Sequence, residues 1–292
     1  LHSTSRRQRQ MCIRDSCDID QMAKVSKNAS MQPKVRLGVR EGESYKVKDL
    51  LYGLMLESYN DCAVVLAEYA AGSVEKFEKR VNQMAAKLGA SNTHFVTPNG
   101  LDGTDKDGRH ETTAQDLAKI MARCIKNQQF LEITQAKQHT FTDGSGKRAF
   151  TCNNHNALLS TMQGAISGKT GYTSKAGYCY VGAIKQKNMT MTVSVLASGW
   201  PPHKTYKWND VRKLVQYVTD NYEKREIIAD TNNVKEINVN NGLKQKVPLR
   251  TGNPKATFLI KKTDQIKIES ILPSSMNAPV KKGQKVGEIR YL

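Results

Sequence analysis

The sequence of 292 residues contains no run of 18 or more apolar residues, which argues against a transmembrane helix within it. Its first 30 residues lack the apolar stretch that forms the centre of a secretory signal peptide. Neither a C-x-x-C pair nor an H-E-x-x-H motif occurs, so the common patterns of zinc ligands are missing. The six histidines are scattered along the chain. We therefore expect no metal site and no cofactor.

Acidic residues are scarce relative to basic ones, since 27 Asp and Glu stand against 45 Lys and Arg and give a net charge of +18. A basic surface attracts polyanions such as nucleic acid or an anionic cell envelope. The basic residues are spread along the chain, without an Arg-rich helix or an alternation of basic and aromatic residues. We therefore predict a generally basic surface and no nucleic-acid partner.

Six cysteines occur in the sequence, and none belongs to a metal-binding pattern. Cys62 and Cys124 fall within helical patterns, where we interpret them as small buried hydrophobic residues. Cys152 and Cys179 could form a bridge, but the sequence does not decide whether they do.

The chain changes character twice along its length. Residues 1–16 have no periodicity and no turn pattern, and we interpret them as a non-native tract. Residues 17–223 combine amphipathic helices with strands, whereas residues 224–292 lose helical periodicity and contain short strand patterns. We therefore predict a first domain over 17–223 and a small all-β domain over 224–292.

Local signals place some boundaries within the first domain. Gly89 is expected to follow the end of an amphipathic helix as its C′ residue. Thr112 and Gln115 have capping-box spacing, which predicts that Thr112 caps the next helix. Two apolar runs on either side of the polar stretch Lys185–Asn188 predict a β hairpin.

Two short polar motifs stand out, Ser58-Tyr59-Asn60 and, about 110 residues later, Lys169-Thr170-Gly171. The first interrupts a helical stretch, where alone it could simply be a helix break or cap. The second occurs at the predicted start of a strand. Together, and in this order, they resemble the second and third motifs of the penicillin-recognising serine enzymes, which follow a first motif Ser-x-x-Lys.

Longer stretches carry the same resemblance. "LLYGLMLESYNDCAVVLAE", "THFVTPNGLD", "TTAQDLAKIM" and "GKTGYTSKAGYCYVGA" are similar to D-alanyl-D-alanine carboxypeptidases of the low-molecular-weight penicillin-binding class. "APVKKGQKVGEI" resembles the β domain that follows the catalytic domain in that family. The resemblance covers about residues 24–292. It implies an α+β fold, in which an antiparallel sheet of the penicillin-binding or β-lactamase type has helices on both faces and precedes a small all-β domain.

The resemblance also implies a biological setting. The substrate would be the peptidoglycan stem peptide ending in D-alanyl-D-alanine, and β-lactam antibiotics would be inhibitors. The protein would act outside the cytoplasm, in the cell envelope. A membrane anchor, which the family often adds at its C terminus, would lie outside this sequence.

One motif of the family is missing. No Ser-x-x-Lys occurs between Cys17 and Ser58, and the one match in the chain, Ser73 to Lys76, follows Ser58. We interpret Ser73 as the N-cap of a helix. We expect that the nucleophilic serine and its lysine were lost with the true N terminus, so that residues 1–292 themselves are inactive.

The resemblance assigns catalytic roles to three residues. Ser58 would relay a proton to the leaving amine nitrogen, because a hydroxyl can both accept and donate one. Asn60 would hold the substrate backbone and the lysine network through its amide. Lys169 would place a positive charge at the edge of the cleft.

Substrate binding would involve Lys169 and its neighbours. Lys169 and the hydroxyl of Thr170 would attract the C-terminal carboxylate, and Gly171 would let the substrate lie close to the strand. The backbone N–H of Tyr172 would be one oxyanion donor. Lys207 is a further candidate for carboxylate binding, with a solvated surface lysine as the alternative.

The sequence is compatible with two other functions. A β-lactamase or related serine hydrolase would use the same motifs, although the "APVKKGQKVGEI" module has no evident use in one. A peptidoglycan- or penicillin-binding protein without turnover fits a chain that lacks its nucleophile.

Overall fold

The computed structural model describes residues 18–230 and 235–292. Residues 1–16, interpreted above as a non-native tract, lie outside the described residues, as do Cys12 and Cys17. The chain divides into two compact units, and the division falls between Tyr217 and Val218. The boundary that the sequence suggests, at residue 224, lies a few residues further along the chain.

The first unit combines helices with short and long antiparallel strands. In chain order its elements are β1 (Met22–Lys24), α1 (Lys27–Ser30), β2 (Ser44–Lys46), α2 (Val47–Tyr52), a π-helical turn (Gly53–Glu57), α3 (Asn60–Ala71), α4 (Val74–Lys87), β3 (Thr104–Asp105), β4 (Gly108–Arg109), α5 (Ala114–Cys124), α6 (Gln128–Gln135), β5 (Gln138–Thr142), β6 (Ala149–Asn153), α7 (Leu158–Thr161), β7 (Ala165–Thr173), β8 (Gly177–Gln186), β9 (Met189–Val195) and α8 (Tyr206–Asn221).

The main sheet is antiparallel in the order β7-β8-β9, and helices cover both of its faces. Side chains alternate between the faces along each strand. Val181 of β8 therefore joins a large core with α2 to α6, whereas its neighbour Tyr180 packs with Val211 and Val215 of α8. This arrangement confirms the expected α+β fold with helices on both faces of an antiparallel sheet.

The helix boundaries agree with the local signals at one position and differ at another. Gly89 follows the end of α4 with a φ of +69°, a left-handed conformation that glycine adopts without strain. Thr113, not Thr112, caps α5, because its hydroxyl accepts the N–H of Asp116 at 3.1 Å. The hydroxyl of Thr112 is bonded to that of Thr93 at 2.8 Å. The predicted cap was therefore wrong by one residue, because the Thr112 hydroxyl is hydrogen-bonded to Thr93, which is distant in sequence.

The second unit contains only strands among the described residues from 222 onward, which confirms the all-β prediction for this part of the chain. The strands are β10 (Tyr222–Ile228), β11 (Glu236–Asn240), β12 (Lys246–Pro248), β13 (Lys255–Lys261), β14 (Ile268–Ile271), β15 (Ser275–Asn277) and β16 (Glu288–Tyr291). β10 pairs with β13 and β14 with β16, both antiparallel, while β11 lies between β12 and a parallel β15. No helix of the described chain is long and apolar enough to cross a bilayer.

Candidate functional site

Ser58 stands at a sharp corner between two helical segments. The π-helical turn ends at the preceding residue, and Ser58 itself has left-handed backbone angles, with a φ of 68° and a ψ of 34°. Gly53 allows the corner to close, since a Cβ there would lie 3.0 Å from the sulfur of Cys62 and 3.2 Å from the ring of Tyr59. The corner turns the Ser58 hydroxyl out of the helical path, and α3 then begins at Asn60.

The structure brings the two predicted motifs into direct contact. The Lys169 ammonium donates a hydrogen bond to the Ser58 hydroxyl and another, of 2.9 Å, to the carbonyl oxygen of Thr170. Only 2% of Lys169 is exposed. A buried ammonium is costly unless hydrogen bonds compensate its lost hydration. Lys169 therefore supplies a fixed positive charge at the Ser58 hydroxyl.

Strand β7, which carries Lys169, presents a free backbone edge within the described sheet, because β8 is its one strand neighbour there. Tyr178 of β8 directs its backbone away from β7, since its N–H donates to Gly199 and its carbonyl accepts from Ser198, both at 2.8 Å. Its cross-strand partner is Tyr172. In an antiparallel ladder, that partner must then direct its own N–H and C=O away from β8. Tyr172, and Thr170 two residues before it, therefore face the free edge.

Asn60 fastens a loop to the beginning of α3. Its side-chain amide donates to the carbonyl of Pro33 at 3.1 Å, and its backbone N–H donates to Val35 at 2.8 Å. The next residue, Asp61, is fully buried and accepts the N–H of Gly38 at 2.7 Å. Asn60 is itself 2% exposed, so in this structure it is part of the frame around Ser58.

Glu57 is a functional candidate that the sequence did not reveal. It directly precedes Ser58, and its carboxylate accepts the backbone N–H of Asn153 and bonds the Nε2 of His155, both at 2.7 Å. These contacts tie the Ser58 corner to the end of β6. No local pattern could have indicated Glu57, because its partners lie 96 and 98 residues away in sequence.

Lys207 is buried rather than solvated, with 6% of the residue exposed, so the alternative of a solvated surface lysine is wrong. Its ammonium lies 4.7 Å from the ring centres of both Tyr178 and Trp208 and donates to the carbonyl of Lys204. Burial lowers the pKa of Lys207, and the neighbouring positive charge of Lys204 lowers it further. Because the Tyr178 ring lies 4.7 Å from that of Tyr172, Lys207 stands behind the two tyrosines of the β7–β8 pair.

Other candidate nucleophiles do not join this site. Ser73 accepts the N–H of Lys76 at 3.2 Å and caps α4, which confirms its interpretation as an N-cap. Burial raises the pKa of Cys152 to about 12, which keeps it as the unreactive thiol. Cys152 and Cys179 are not bridged. Within the described ranges, no group of three or more His, Cys, Asp or Glu side chains is suited to hold a metal.

Comparison with known proteins gives two family matches. Residues 10–199 match the profile of the D-alanyl-D-alanine carboxypeptidase family, and residues 222–292 match that of the penicillin-binding protein 5 C-terminal domain. Among curated relatives, D-alanyl-D-alanine carboxypeptidase DacF of Bacillus subtilis is 28% identical over 268 residues, which are 91% of this chain and 67% of DacF. DacB2 of Mycobacterium tuberculosis is 38% identical over 160 residues, which are 55% of this chain and 53% of DacB2. The chain thus spans about one half to two thirds of these relatives' lengths.

Solved structures give the same result. Penicillin-binding protein 5 from Haemophilus influenzae superposes with a TM-score of 0.76 at 26% identity, over 100% of this chain and 85% of that chain. The Streptomyces K15 DD-transpeptidase gives a TM-score of 0.66 at 29% identity, over 74% of this chain and 86% of that chain. The second match covers less of this chain than the first.

Proposed function

Because the chain belongs to the D-alanyl-D-alanine carboxypeptidase family, we propose that it forms part of a site that removes the terminal D-alanine from peptidoglycan stem peptides. The observation that carries this proposal is the contact between the buried ammonium of Lys169 and the hydroxyl of Ser58, beside the free edge of β7. Acyl transfer from a peptide can use these three features: a fixed positive charge, a hydroxyl able to relay a proton and an open strand edge.

The reaction has two steps. A serine oxygen attacks the carbonyl carbon of the penultimate D-alanine, the bond to the terminal D-alanine nitrogen breaks, and that nitrogen takes up a proton as the amine leaves. Water then hydrolyses the resulting ester, which frees the shortened peptide and restores the serine hydroxyl. In this scheme Ser58 passes the proton to the leaving nitrogen, and Lys169 holds the Ser58 hydroxyl in position for the transfer.

The substrate would bind as an added strand along the free edge of β7. The carboxylate of the terminal D-alanine would lie near the Thr170 hydroxyl and the Lys207 ammonium. Asn60, whose amide donates to Pro33, would support the Ser58 corner and not contact the peptide. Gly171 would allow close approach of the peptide. The Tyr172 N–H, which faces this edge, would donate to the oxyanion, a contact worth about 3–4 kcal/mol of barrier in known cases.

The attacking serine is not supplied by any recognisable motif in residues 1–292. The one Ser-x-x-Lys match caps helix α4, and its lysine side chain is exposed. We therefore propose that these residues bind the peptide without turning it over. A β-lactamase-like role is less well supported, because residues 222–292 match the C-terminal domain of a penicillin-binding protein.

The cellular setting follows from the same proposal. The relatives are named for carboxypeptidase activity on D-alanyl-D-alanine, an end group of the cell wall, so the protein would act in the cell envelope. The net charge of +18 suits an anionic wall. β-Lactams, which mimic the D-alanyl-D-alanine end, would occupy the same edge of β7.

Equilibrium binding of a short peptide ending in D-alanyl-D-alanine tests the proposal. Residues 1–292 should bind it at least tenfold more tightly than the same peptide ending in L-alanyl-L-alanine. With the backbone held at the strand edge and the carboxylate at its site, inversion of both Cα centres redirects the two methyl groups. The backbone amide resonance of Tyr172 should shift in NMR spectra on titration. Equal affinity for the two peptides would contradict the proposal.

Lys169→Met is the matching variant, since it removes the ammonium but keeps a long apolar side chain. It should remove most of the preference for the D-alanyl-D-alanine peptide. Lys185→Ala is the control, because Lys185 is an exposed lysine of the same sheet. Similar losses from both changes would mean that Lys169 only supports the fold.

A further inference from the structure

Three exposed aromatic side chains lie on or close to the β7–β8 hairpin. Tyr172 is on β7 and Trp200 contacts Ser174 at the tip, while Tyr206 lies beside Gly199, which accepts the N–H of Tyr178. Tyr172, Trp200 and Tyr206 are 41%, 43% and 47% exposed, and we call them the aromatic platform. Large aromatic side chains usually bury most of their surface in a soluble protein. Three exposed rings near one hairpin therefore indicate a binding surface rather than scattered surface residues.

The platform is held in place by contacts around it. The Trp200 indole N–H donates to the Ser174 carbonyl at 2.8 Å, and the ring covers Gly177, where a Cβ would lie 2.9 Å from it. Tyr206 stacks on His203 with ring centres 4.5 Å apart. Rings that are fixed before binding lose little conformational entropy when a ligand stacks on them.

The proposed peptide runs toward this platform. In the proposed function the terminal carboxylate lies at Thr170 and the scissile carbonyl at Tyr172. The rest of the peptide must then continue along the edge of β7 toward Ser174, at the hairpin tip. A strand advances about 3.3 Å per residue, so a few further residues reach the tip. The part of the substrate that arrives there is its N-terminal end.

In peptidoglycan, that N-terminal end is joined to a sugar. We propose that the aromatic platform binds the glycan part of the substrate, with a pyranose ring lying on the Trp200 face. This inference rests on the proposed function for the direction of the peptide. Its contacts are made by aromatic side chains, whereas the catalytic contact of Tyr172 is its backbone N–H. The site would therefore distinguish a sugar-bearing stem peptide from a free one.

The chemistry of the surface suits a sugar. One face of a pyranose presents C–H groups that can stack on an aromatic ring, while its hydroxyls need polar partners. The segments around the platform offer polar groups, among them Ser174 and Lys175 at the hairpin tip and Lys204 before α8. A protein partner would favour additional aliphatic side chains at the centre of such a surface.

A comparison of three ligands tests the inference on residues 1–292. They are a D-alanyl-D-alanine stem peptide, the same peptide carrying the N-acetylglucosamine–N-acetylmuramic acid disaccharide, and the disaccharide alone. The sugar-bearing peptide should bind about fivefold more tightly than the free peptide, in keeping with one good aromatic stack. Trp200→Ala should abolish this gain and leave the affinity for the free peptide unchanged. Equal affinity of the unmodified chain for both peptides would overturn the inference.

Further variants separate stacking from folding. Trp200→Phe should keep most of the gain, because it retains a ring. Tyr206→Ala should reduce the gain even if Trp200→Ala fails to fold. Tyr217→Ala removes a tyrosine of α8 that is 56% exposed and should change nothing. A loss of affinity for both peptides in Trp200→Ala would contradict a sugar-specific role.

Two outcomes distinguish this inference from its premise. If the disaccharide alone binds through Trp200 but no peptide binds, the proposed function fails and the sugar site stands. If the unmodified chain self-associates and Trp200→Ala is monomeric without any sugar-dependent gain, the platform is an interface between copies and the glycan inference fails.

Discussion

At the scale of single residues, the arrangement around Ser58 depends on groups that hold it from two sides. Lys169 donates to its hydroxyl, while Glu57, one residue earlier, fixes the backbone by bonds to Asn153 and His155. A left-handed residue other than glycine costs free energy and persists where its surroundings hold it. Glu57 is therefore expected to act as a positioning residue for Ser58.

Replacement of Glu57 tests this expectation. Glu57→Ala removes the acceptor of the exposed Asn153 N–H, which water can replace in part, and should lower the free energy of unfolding by about 0.5–1.5 kcal/mol. Glu57→Gln keeps an acceptor for Asn153, so its free energy of unfolding should fall by less than half as much as that of Glu57→Ala. Chemical denaturation gives these values, and the Ser58 amide resonance should move more in Glu57→Ala. Glu41→Ala, at an exposed glutamate, is the control. Equal stability of all three variants would mean that Glu57 has no such role.

Lys207 predicts a pH dependence of peptide binding. Its pKa is lowered from the ordinary 10.5 by burial first and by Lys204 second. The ammonium that would bind the carboxylate is present below this lowered pKa and is lost as the pH rises through it. The affinity for the D-alanyl-D-alanine peptide should therefore begin to fall at a lower pH than it would if Lys207 had the ordinary pKa of a lysine.

Binding measured from pH 7 upward in three proteins checks this dependence. The peptide affinity of Lys207→Arg should not change with pH, because arginine stays charged throughout this pH range. Lys207→Met should bind the peptide weakly at every pH. The ratio of the unmodified chain's affinity to that of Lys207→Met should therefore shrink as the pH rises and Lys207 loses its charge. If this affinity ratio stayed unchanged to pH 10.5, Lys207 would not bind the carboxylate.

The sequence could single out Ser58 and Lys169 as candidates, but not all of the residues around them. Their motifs are short chemical patterns in a fixed order, and such patterns can be recognised without a structure. Glu57 was missed because its partners are remote in sequence. The burial of Lys207 was also missed, because it depends on Tyr178 and Trp208 meeting over the same face of the sheet.

At the scale of the elements, the central hairpins follow from local pattern. The predicted turn between β8 and β9 is confirmed at Lys187 and Asn188, both of which have positive φ angles, as two-residue hairpin turns require. The exposed edge of β7 could not be predicted, because it depends on which strands pair and in what register.

Gly168 in β7 shows how closely packed that strand is. A Cβ at this position would lie 2.0 Å from Nδ2 of Asn156 and 2.3 Å from the hydroxyl oxygen of Tyr180. Asn156 is 5% exposed, and its side-chain amide has no hydrogen-bond partner within residues 18–230 and 235–292. The side chains around Gly168 therefore have little room to move.

Gly168→Ala should accordingly lower the free energy of unfolding by at least about 2 kcal/mol, as overpacking does in tightly packed cores. Adding Asn156→Ala should recover part of this loss, because it removes the closer obstacle, so the two changes should not be additive. Gly252→Ala is the control, since nothing lies within 4 Å of a Cβ there, and it should cost no more than about 0.5 kcal/mol. Additive effects in a double-mutant cycle would show that Asn156 is not the obstacle.

At the scale of the whole molecule, the order of an α+β unit and an all-β unit could be predicted from the loss of helical periodicity. The sequence suggests a boundary at residue 224, after the last helix, whereas the structure divides between Tyr217 and Val218, within α8. Periodicity marks where helices stop, whereas the division between units depends on tertiary contacts. The family match over residues 222–292 agrees with the presence of the second unit.

Treatment with a penicillin tests the covalent chemistry of the whole chain. Acylation by a penicillin needs a nucleophilic serine with a base beside it, and residues 1–292 contain one Ser-x-x-Lys match, at Ser73. The Ser73 hydroxyl instead accepts a backbone N–H at the start of α4. Intact-mass spectrometry after incubation with a penicillin should therefore show no adduct, even though the penicillin should compete with the D-alanyl-D-alanine peptide for reversible binding. An active penicillin-binding enzyme treated alongside is the control for the reagent. A stoichiometric adduct would show that the chain holds its own nucleophile, and peptide mapping of Ser58 and Ser73 would then identify it.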